Sequence, residues 1–301
     1  MAELPVRAGF DLPGGAGPVQ TLVAKRLPPR LRAQPAPLAD VWPAAHFGLH
    51  RATAFTGSSA EVQAAVLADC ARGTLLEAYF IEKAGVSYAA KMTLLAETID
   101  ERSLYALFAA EEAAHLDAIG HALGPVDAAS WQADPFLALL GEIIEAGDRV
   151  TGQLVIQVVL EGWGLLHYAS LRDACQDDAL RTLLDRILAD EAGHHGAGVH
   201  LLRGVALSPA QRRLCVDLLG RMLAMVQLGP ALVVGAIERH TGGLTAGQRR
   251  RLYAELDAEG HIRSRLRRLR SCLDKTPAAA LVTQALEDAG RFTVPALAEL
   301  P

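Results

Sequence analysis

Apolar residues recur with a helical period over most of the chain. From Ser58 onward they stand three or four positions apart, in stretches that begin at capping signals and end at glycine or proline. Ser58-Ser59-Ala60-Glu61 and Thr98-Ile99-Asp100-Glu101 match the capping-box pattern, and Asp134-Pro135 joins a capping residue to a proline at the first helical position. No strand-like alternation of apolar and polar residues occurs, so the pattern predicts an all-α fold.

The same signals divide the chain into three parts. Residues 1–57 are rich in proline and glycine and predict an irregular N-terminal arm, with at most a short helix near Ala39 to Leu49. Such an arm could lie over the helices, be disordered or exchange within a dimer. Residues 58–205 predict a four-helix bundle, whose third stretch is open to breaks at 147–148 and 151–152 and whose fourth helix is capped by Asp177 or Asp178. Residues 206–301 predict accessory helices packed on the bundle, with a break at Pro230.

The predicted bundle carries two Glu-x-x-His tetrads on apolar helix stripes. Thirty residues before each tetrad stands a lone glutamate. Residues three apart on a helix share one face, so both members of a tetrad can reach one metal ion. Buried ionisable groups are costly unless they are paired or bind metal, and carboxylate with imidazole suits iron or manganese. The sequence therefore predicts a two-metal site whose ligands are Glu82, Glu112, His115, Glu161, Glu191 and His194.

Composition narrows the classes of function. The four cysteines, at 70, 175, 215 and 272, form no Cys-x-x-Cys, which excludes a rubredoxin-type iron site or a zinc finger on spacing. They predict buried free thiols in a reducing cytoplasm. A net charge of −5 gives no reason to expect nucleic acid. We expect a cytoplasmic protein without a membrane span, because neither an apolar run of about 20 residues nor a signal-peptide pattern is evident.

From about Leu76 to Leu202 the chain resembles the ferritin-like di-iron carboxylate superfamily. The resemblance rests on the six candidate ligands, on Asp100-Glu101-Arg102, and on Asp190 before Glu191. Within the superfamily it is nearest to small-molecule oxygenases of the aldehyde-deformylating type. It implies two iron ions, or a manganese/iron pair, with O2 as co-substrate. It also implies an external electron donor, such as a ferredoxin or a reductase.

The chain differs in several features from other members of that superfamily. Ferritins lack the long segment 208–290, and rubrerythrins usually carry a cysteine-ligated iron domain. Small subunits of ribonucleotide reductase often place Asp where this chain has Glu82. Arylamine N-oxygenases carry an additional histidine where this chain has Ile187.

Other residues near the tetrads are weaker candidates. Gly85 and Gly164 each stand three residues after a lone glutamate, and we expect them, with Phe108, to leave space for substrate or O2. Close helix packing is an equal explanation for the two glycines. Tyr168 and His195 are candidates to hydrogen-bond the ligands, although a packed core tyrosine is as good a reading of Tyr168. Glu77 is expected at the surface.

A basic stretch follows the predicted bundle. It comprises Arg249, Arg250 and Arg251, and then Arg263, Arg265, Arg267, Arg268 and Arg270. A solvated helix face is the favoured interpretation. The alternative is docking of an acidic partner, either a ferredoxin or a phosphopantetheine carrier protein.

Three functions fit these observations. The first is a non-heme di-iron oxygenase or oxidase acting on a small, partly apolar organic substrate, for instance in biosynthesis or specialised metabolism. The second is iron handling or peroxide reduction, and the third is a metal-free ferritin-like scaffold. The shape of a cavity beside the metals would separate substrates, because a long apolar tunnel indicates a fatty chain and a short polar pocket an amino-acid-like or aromatic molecule. Homodimerisation stays open.

Overall fold

The computed structural model describes residues 7–12, 18–27, 36–127 and 130–300. Within these ranges the chain is all-helical, with twelve α-helices and no strand, so the predicted fold class is confirmed. Parts of the predicted arm, at 1–6, 13–17 and 28–35, lie outside the described residues.

The described part of the N-terminal region is made of short helical pieces. Helix α1 spans Pro18–Ala24 and α2 spans Thr53–Thr56. In place of the short helix expected near Ala39 to Leu49, there are single 3-10 turns at Leu38–Asp40 and Leu49–Arg51. Trp42 is buried and its Nε1 donates a hydrogen bond of 2.8 Å to the carbonyl oxygen of Leu171. This part of the region therefore packs on the helices that follow.

The first bundle hairpin is α3 (Ala60–Leu95) and α4 (Ile99–Leu123), joined by a three-residue connection. Ser59, one residue later than the predicted cap, accepts a hydrogen bond of 3.4 Å from the backbone N–H of Val62. Thr98 caps α4 as predicted, accepting from the N–H of Glu101 at 3.1 Å. Because the connection is short, the two helices run antiparallel over their length.

The second hairpin follows α5 (Pro135–Ala146), which Asp134 caps. It consists of α6 (Arg149–Ala174) and α7 (Asp178–Leu201). Of the two predicted candidates for the cap of α7, Asp177 is the one observed. The predicted break at 147–148 separates α5 from α6. No break occurs at 151–152, where α6 continues into a π-helical segment, Gln153–Leu160.

The π segment is entirely buried and leads directly into Glu161. The hydroxyl groups of Tyr88 and Tyr105 donate hydrogen bonds of 3.1 and 2.7 Å to Gln157 Oε1. Gln157 Nε2 donates to the carbonyl oxygen of His194 at 3.2 Å. Tertiary hydrogen bonds from α3, α4 and α7 thus hold the widened turn in place.

Five further helices cover the bundle: α8 (Pro209–Val226), α9 (Ala231–Thr241), α10 (Ala246–Glu255), α11 (Ala258–Asp274) and α12 (Ala280–Asp288). Helix α8 ends before Pro230, and the chain bends there by 41° into α9. Helix α8 packs on α5 and α12, and α11 packs on α6. The core residues of α8, α11 and α12 belong to one cluster with those of α3 to α6.

One helix among the described residues, Arg149–Ala174, is long and apolar enough to cross a membrane, contrary to the expectation that no run of that kind exists. Half of its most apolar window is buried inside the protein, and it carries Glu161. Core helices of bundles pass the same test, so its length and composition do not by themselves indicate a membrane span.

Candidate metal centre

The structure brings all six predicted ligands together in the middle of the bundle. Helix α3 supplies Glu82, α6 supplies Glu161, and α4 and α7 supply one Glu-x-x-His tetrad each. Glu82, His115 and His194 are each only 1% exposed. Six charged or polar side chains from four helices therefore meet where the surrounding core is apolar.

The donor atoms fall into two groups that share one carboxylate. In each group the candidate ligand atoms lie within 4.8 Å of one another. The first group is Glu82, Glu112, His115 and Glu191, and the second is Glu161, Glu191 and His194. Since Glu191 belongs to both groups, its carboxylate is shared in the way that a bridging ligand is shared in two-metal sites.

Both histidines turn Nδ1 toward the centre. His115 Nδ1 lies 3.2 Å from Glu82 Oε2, and His194 Nδ1 lies 3.2 Å from Glu112 Oε1. The same ring nitrogens are 3.6 and 3.7 Å from the two oxygens of Glu191. Each ring therefore presents its Nδ1 to two of the four candidate carboxylates.

The opposite ring nitrogens are held by two carboxylates outside the centre. His115 Nε2 lies 3.0 Å from Asp190 Oδ2, and His194 Nε2 lies 2.8 Å from Glu111 Oε2. Asp190 directly precedes the ligand glutamate of α7, and Glu111 directly precedes that of α4. Each repeat thus orients the histidine of the other, as carboxylates commonly orient metal-bound histidines. The sequence signal for these carboxylate–histidine pairs was the acidic residue that directly precedes the glutamate of each tetrad.

Without metal, protons occupy the centre. Burial, reinforced by the charge of Glu191, raises the pKa of both Glu112 and Glu161 well above the usual range. Although burial acts in the opposite direction, the surrounding carboxylates raise the pKa of His115 to about 11 and that of His194 to about 12. Against burial, hydrogen bonds from the two histidines lower the pKa of Glu191 to about 2. Positive charge is therefore favoured between these carboxylates, and cations would displace the protons.

One oxygen in the candidate centre has no hydrogen-bond partner among the residues that the structure describes. Glu161 is half-buried as a residue, but its Oε2 is enclosed and has no hydrogen-bond partner among the described residues. A buried carboxylate oxygen left unpaired is costly. A cation in the second group would satisfy it, and the oxygen and nitrogen donors suit iron or manganese. The residues present therefore fit a pair of such ions.

Three other predicted residues lie close to the ligands. The hydroxyl group of Tyr168 donates a short hydrogen bond to Glu82 Oε1, and burial raises the pKa of this phenol well above its usual range, so it stays a donor. His195 instead turns its Nδ1 to the carbonyl oxygen of Gln157, at 3.1 Å, and does not hydrogen-bond a ligand carboxylate. Phe108 packs against the ring of His194, with centroids 4.1 Å apart, and does not line the cavity described next.

A cavity opens directly on the candidate metal centre between α3, α5 and α6. It holds about 850 Å³ of empty space, including the part open to solvent. All four ligand glutamates line it, and most of the remaining wall is apolar, with Ile81, Leu140, Ile144, Ile156 and Leu160 among its residues. Residues from Glu77 to Tyr88 form the α3 wall, which at 1.5 Å per residue extends over roughly 16 Å. The cavity is therefore elongated along the helices.

The end of the cavity at Glu77 is polar. Burial, followed by the charge of Asp134, raises the pKa of Glu77 to about 7. His167 lines the same end, and burial with the nearby charge of Arg265 lowers its pKa to about 4. Glu77 is half-buried and lines the cavity, so the prediction that it is a surface residue is wrong. Asp134, before α5, and Arg265, on α11, are near enough to influence its pKa.

The two matched glycines both line the cavity but have different surroundings. A Cβ added to Gly85 would lie 2.6 Å from Glu112 Cδ, so this glycine lets a ligand carboxylate approach the backbone of α3. A Cβ added to Gly164 would meet no atom within 4 Å, so this glycine borders open space. Close packing explains Gly85 and free volume explains Gly164.

Comparison of the chain with protein-family models, curated proteins and solved structures gave no match.

Proposed function

We propose that the protein is a non-heme di-iron oxygenase or oxidase, with a ferritin-like centre, that uses O2 to oxidise a small, partly apolar organic molecule. One observation carries the proposal: four carboxylates and two imidazoles form two groups that could each hold a cation and that share Glu191, and the four carboxylates line a mostly apolar cavity. Two bound irons would supply the electrons and the coordination sites that O2 reduction needs.

The chain's own groups would orient the ligands and exclude water. Asp190 and Glu111 fix the two imidazole rings through Nε2, so that Nδ1 faces the metals. Tyr168 fixes one oxygen of Glu82 by donating its hydroxyl hydrogen. The aliphatic residues of α5 and α6 keep the space beside the carboxylates apolar, which limits the access of water to the reacting groups.

The cavity also favours one class of substrate. Its wall is elongated and mainly aliphatic, and its polar groups lie at the metals and at the end near Glu77. An extended apolar chain with one polar end fits this distribution better than a compact polar molecule. An internal cavity of this kind is not needed for iron handling, which favours the oxygenase over the storage alternative.

The test separates metal binding from use of the cavity. Gly164→Phe should fill open space beside the metals, whereas Gly193→Phe, at an exposed helical glycine that also has no atom within 4 Å, is the matched control. After anaerobic loading with Fe(II), both variants should hold two irons per chain. Only Gly164→Phe should lose the O2-dependent oxidation of apolar chain substrates, measured by product mass and O2 uptake. Failure of the wild-type protein to bind iron, or equal turnover by the two variants, would reject the proposal.

A further inference from the structure

A second groove runs along the opposite side of α6, between α6 and α11. The α11 side carries Ser264, Arg267, Arg268 and Ser271, and Lys275 follows directly after the helix. These residues share one stripe of the helix, because the other four follow Ser264 by three, four, seven and eleven positions. The groove therefore has one wall with three cationic groups and two hydroxyl groups.

The three cations of this wall form no ion pair among the described residues. Among the described residues, no carboxylate lies within 4.0 Å of the charged nitrogens of Arg267, Arg268 or Lys275. Other arginines of α11 are engaged, since Arg270 pairs with Glu287 at 2.6 Å and Arg265 stacks 5.5 Å from the ring centroid of Trp163. On a chain of net charge −5, this is a local concentration of free positive charge.

The facing wall is apolar. Leu165 and Leu166 of α6 line it, and Leu166 is 43% exposed. Apolar contact surface beside unpaired cations is the composition expected of a surface that binds an acidic protein, because the charges steer the encounter and the apolar residues supply contact area.

The floor of the groove lies next to the metal centre. Gly162 lines the floor and directly follows Glu161. A Cβ added to Gly162 would lie 2.7 Å from His195 Cε1, and His195 directly follows His194. The floor is thus one residue away from a candidate ligand on each of α6 and α7.

The groove does not lead into the substrate cavity. At about 100° per residue, Gly162, Leu165 and Leu166 lie on one face of α6, whereas the cavity residues Trp163, Gly164 and His167 lie on the other. A partner seated in the groove would meet the back of the ligand helix. It could pass electrons through Glu161 and His195 but could not hand a substrate into the cavity.

We propose that this basic groove is the docking surface for an acidic one-electron carrier protein. The inference rests on the proposed function, since it supplies the electrons that an iron oxygenase requires. Each encounter passes one electron and no atom, so two reduced carriers become oxidised when two ferric ions become ferrous. Arg267, Arg268 and Lys275 bind the carrier's carboxylates, and Leu165 and Leu166 contact its apolar surface.

The experiment compares two double charge reversals in the iron-loaded protein. Arg267→Glu with Arg268→Glu alters the groove. Arg212→Glu with Arg213→Glu is the matched control, because these arginines are also adjacent on a helix and form no ion pair among the described residues, but lie on α8. The probe is a small acidic [2Fe–2S] ferredoxin, whose affinity is measured by calorimetry over a range of salt concentrations. Its rate of electron delivery is measured by stopped flow.

We expect the groove variant to bind the ferredoxin about tenfold or more weakly, with a smaller salt dependence, and to be reduced correspondingly slowly. The control variant should behave like the wild type, and dithionite with a small mediator should reduce all three proteins at equal rates. Equal ferredoxin binding by both variants would overturn the proposal. So would a groove variant that is reduced normally by ferredoxin and fails only with a substrate attached to a carrier protein.

The two proposals fail in different ways. A protein that binds no iron, or consumes no O2 under chemical reduction, rejects the oxygenase function whatever the ferredoxin does. Normal iron content and normal chemically driven O2 uptake, together with ferredoxin binding that ignores the groove charges, reject only the docking surface.

Discussion

Gly85→Ala tests the placement of the shared carboxylates with a single methyl group. The new Cβ would lie 2.6 Å from Glu112 Cδ, whereas ordinary contacts begin at 3.4 Å, so the carboxylate must retreat by about 0.8 Å (3.4 − 2.6). The atoms that collide are the end of a flexible side chain, so the helix backbone should tolerate the change. Alanine within a helix also stabilises it by about 0.5–1 kcal/mol relative to glycine.

The cost should therefore appear in metal binding. Moving a functional group by about 1 Å costs on the order of 100-fold in activity, and disturbing the support of a metal ligand costs about 10- to 100-fold in affinity. The corresponding loss of binding free energy is about 1.4–2.7 kcal/mol. The stabilisation that bound metal adds to the fold should fall by a similar amount at saturating metal.

Gly164→Ala is the matched control. It adds the same methyl group at the same offset from a ligand glutamate, in the wall of the same cavity, but meets no atom within 4 Å. Anaerobic Fe(II) titration and thermal unfolding with and without iron should show equal or raised melting temperatures for both metal-free variants. Only Gly85→Ala should bind iron more weakly. If Gly85→Ala takes up two ferrous ions with wild-type affinity, Glu112 does not bind metal where the structure places it.

Four further predictions concern the candidate centre. Iron uptake at pH 7 should release two or more protons per chain, because the pKa values of about 11 for His115 and 12 for His194 keep both rings protonated until metal displaces the protons. Calorimetry in buffers of different ionisation enthalpy measures this release. Iron uptake without proton release would contradict the assignment of the two histidines as ligands. Since these folded-state pKa values lie above the ordinary 6.5, their contribution to the stability of the metal-free protein is complete below pH 6.5 and is lost as the pH rises toward 11–12, which melting temperatures across that range will show. Asp190→Asn should weaken iron binding about 10- to 100-fold, whereas Asp185→Asn, at an exposed residue on the same helix, should leave it unchanged. Equal iron affinities of the two variants would show that Asp190 does not support a metal ligand. Tyr168→Phe should retain both irons with about tenfold lower affinity, since it removes one hydrogen bond to a charged ligand, and an unchanged titration curve would show that this bond is not made.

The convergence of the six candidate ligands could be predicted because the residues that determine it are close in sequence. A helical period places both members of each tetrad on one face, and the cost of burying charge makes two such faces meaningful. The structure places all six side chains together accordingly. The helix caps at Thr98, Asp134 and Asp177 were predictable for the same reason, since capping depends on residues only two or three positions away.

Features that depend on distant elements were not predictable. Gly85 and Gly164 each stand three residues after a candidate ligand glutamate. Only Gly85 faces a carboxylate, because Glu112 of α4 lies against it, whereas Gly164 borders open space. Glu77 looked like a surface residue because nothing nearby in sequence shows that it lines a cavity between α3, α5 and α6. The π segment depends on Gln157 bonding to three other helices, and its residues carry no period that differs from an ordinary apolar helix.

The most direct measurement is the number and separation of iron ions bound by the reduced protein. Anaerobic titration with Fe(II), followed by X-ray absorption spectroscopy, should give two ions per chain, about 3.5–4 Å apart, with mixed oxygen and nitrogen ligands. Glu191→Ala should reduce the uptake, because both groups of ligands share this carboxylate. Uptake of no iron or a single ion by the wild-type protein, or undiminished uptake by Glu191→Ala, would contradict a two-metal centre.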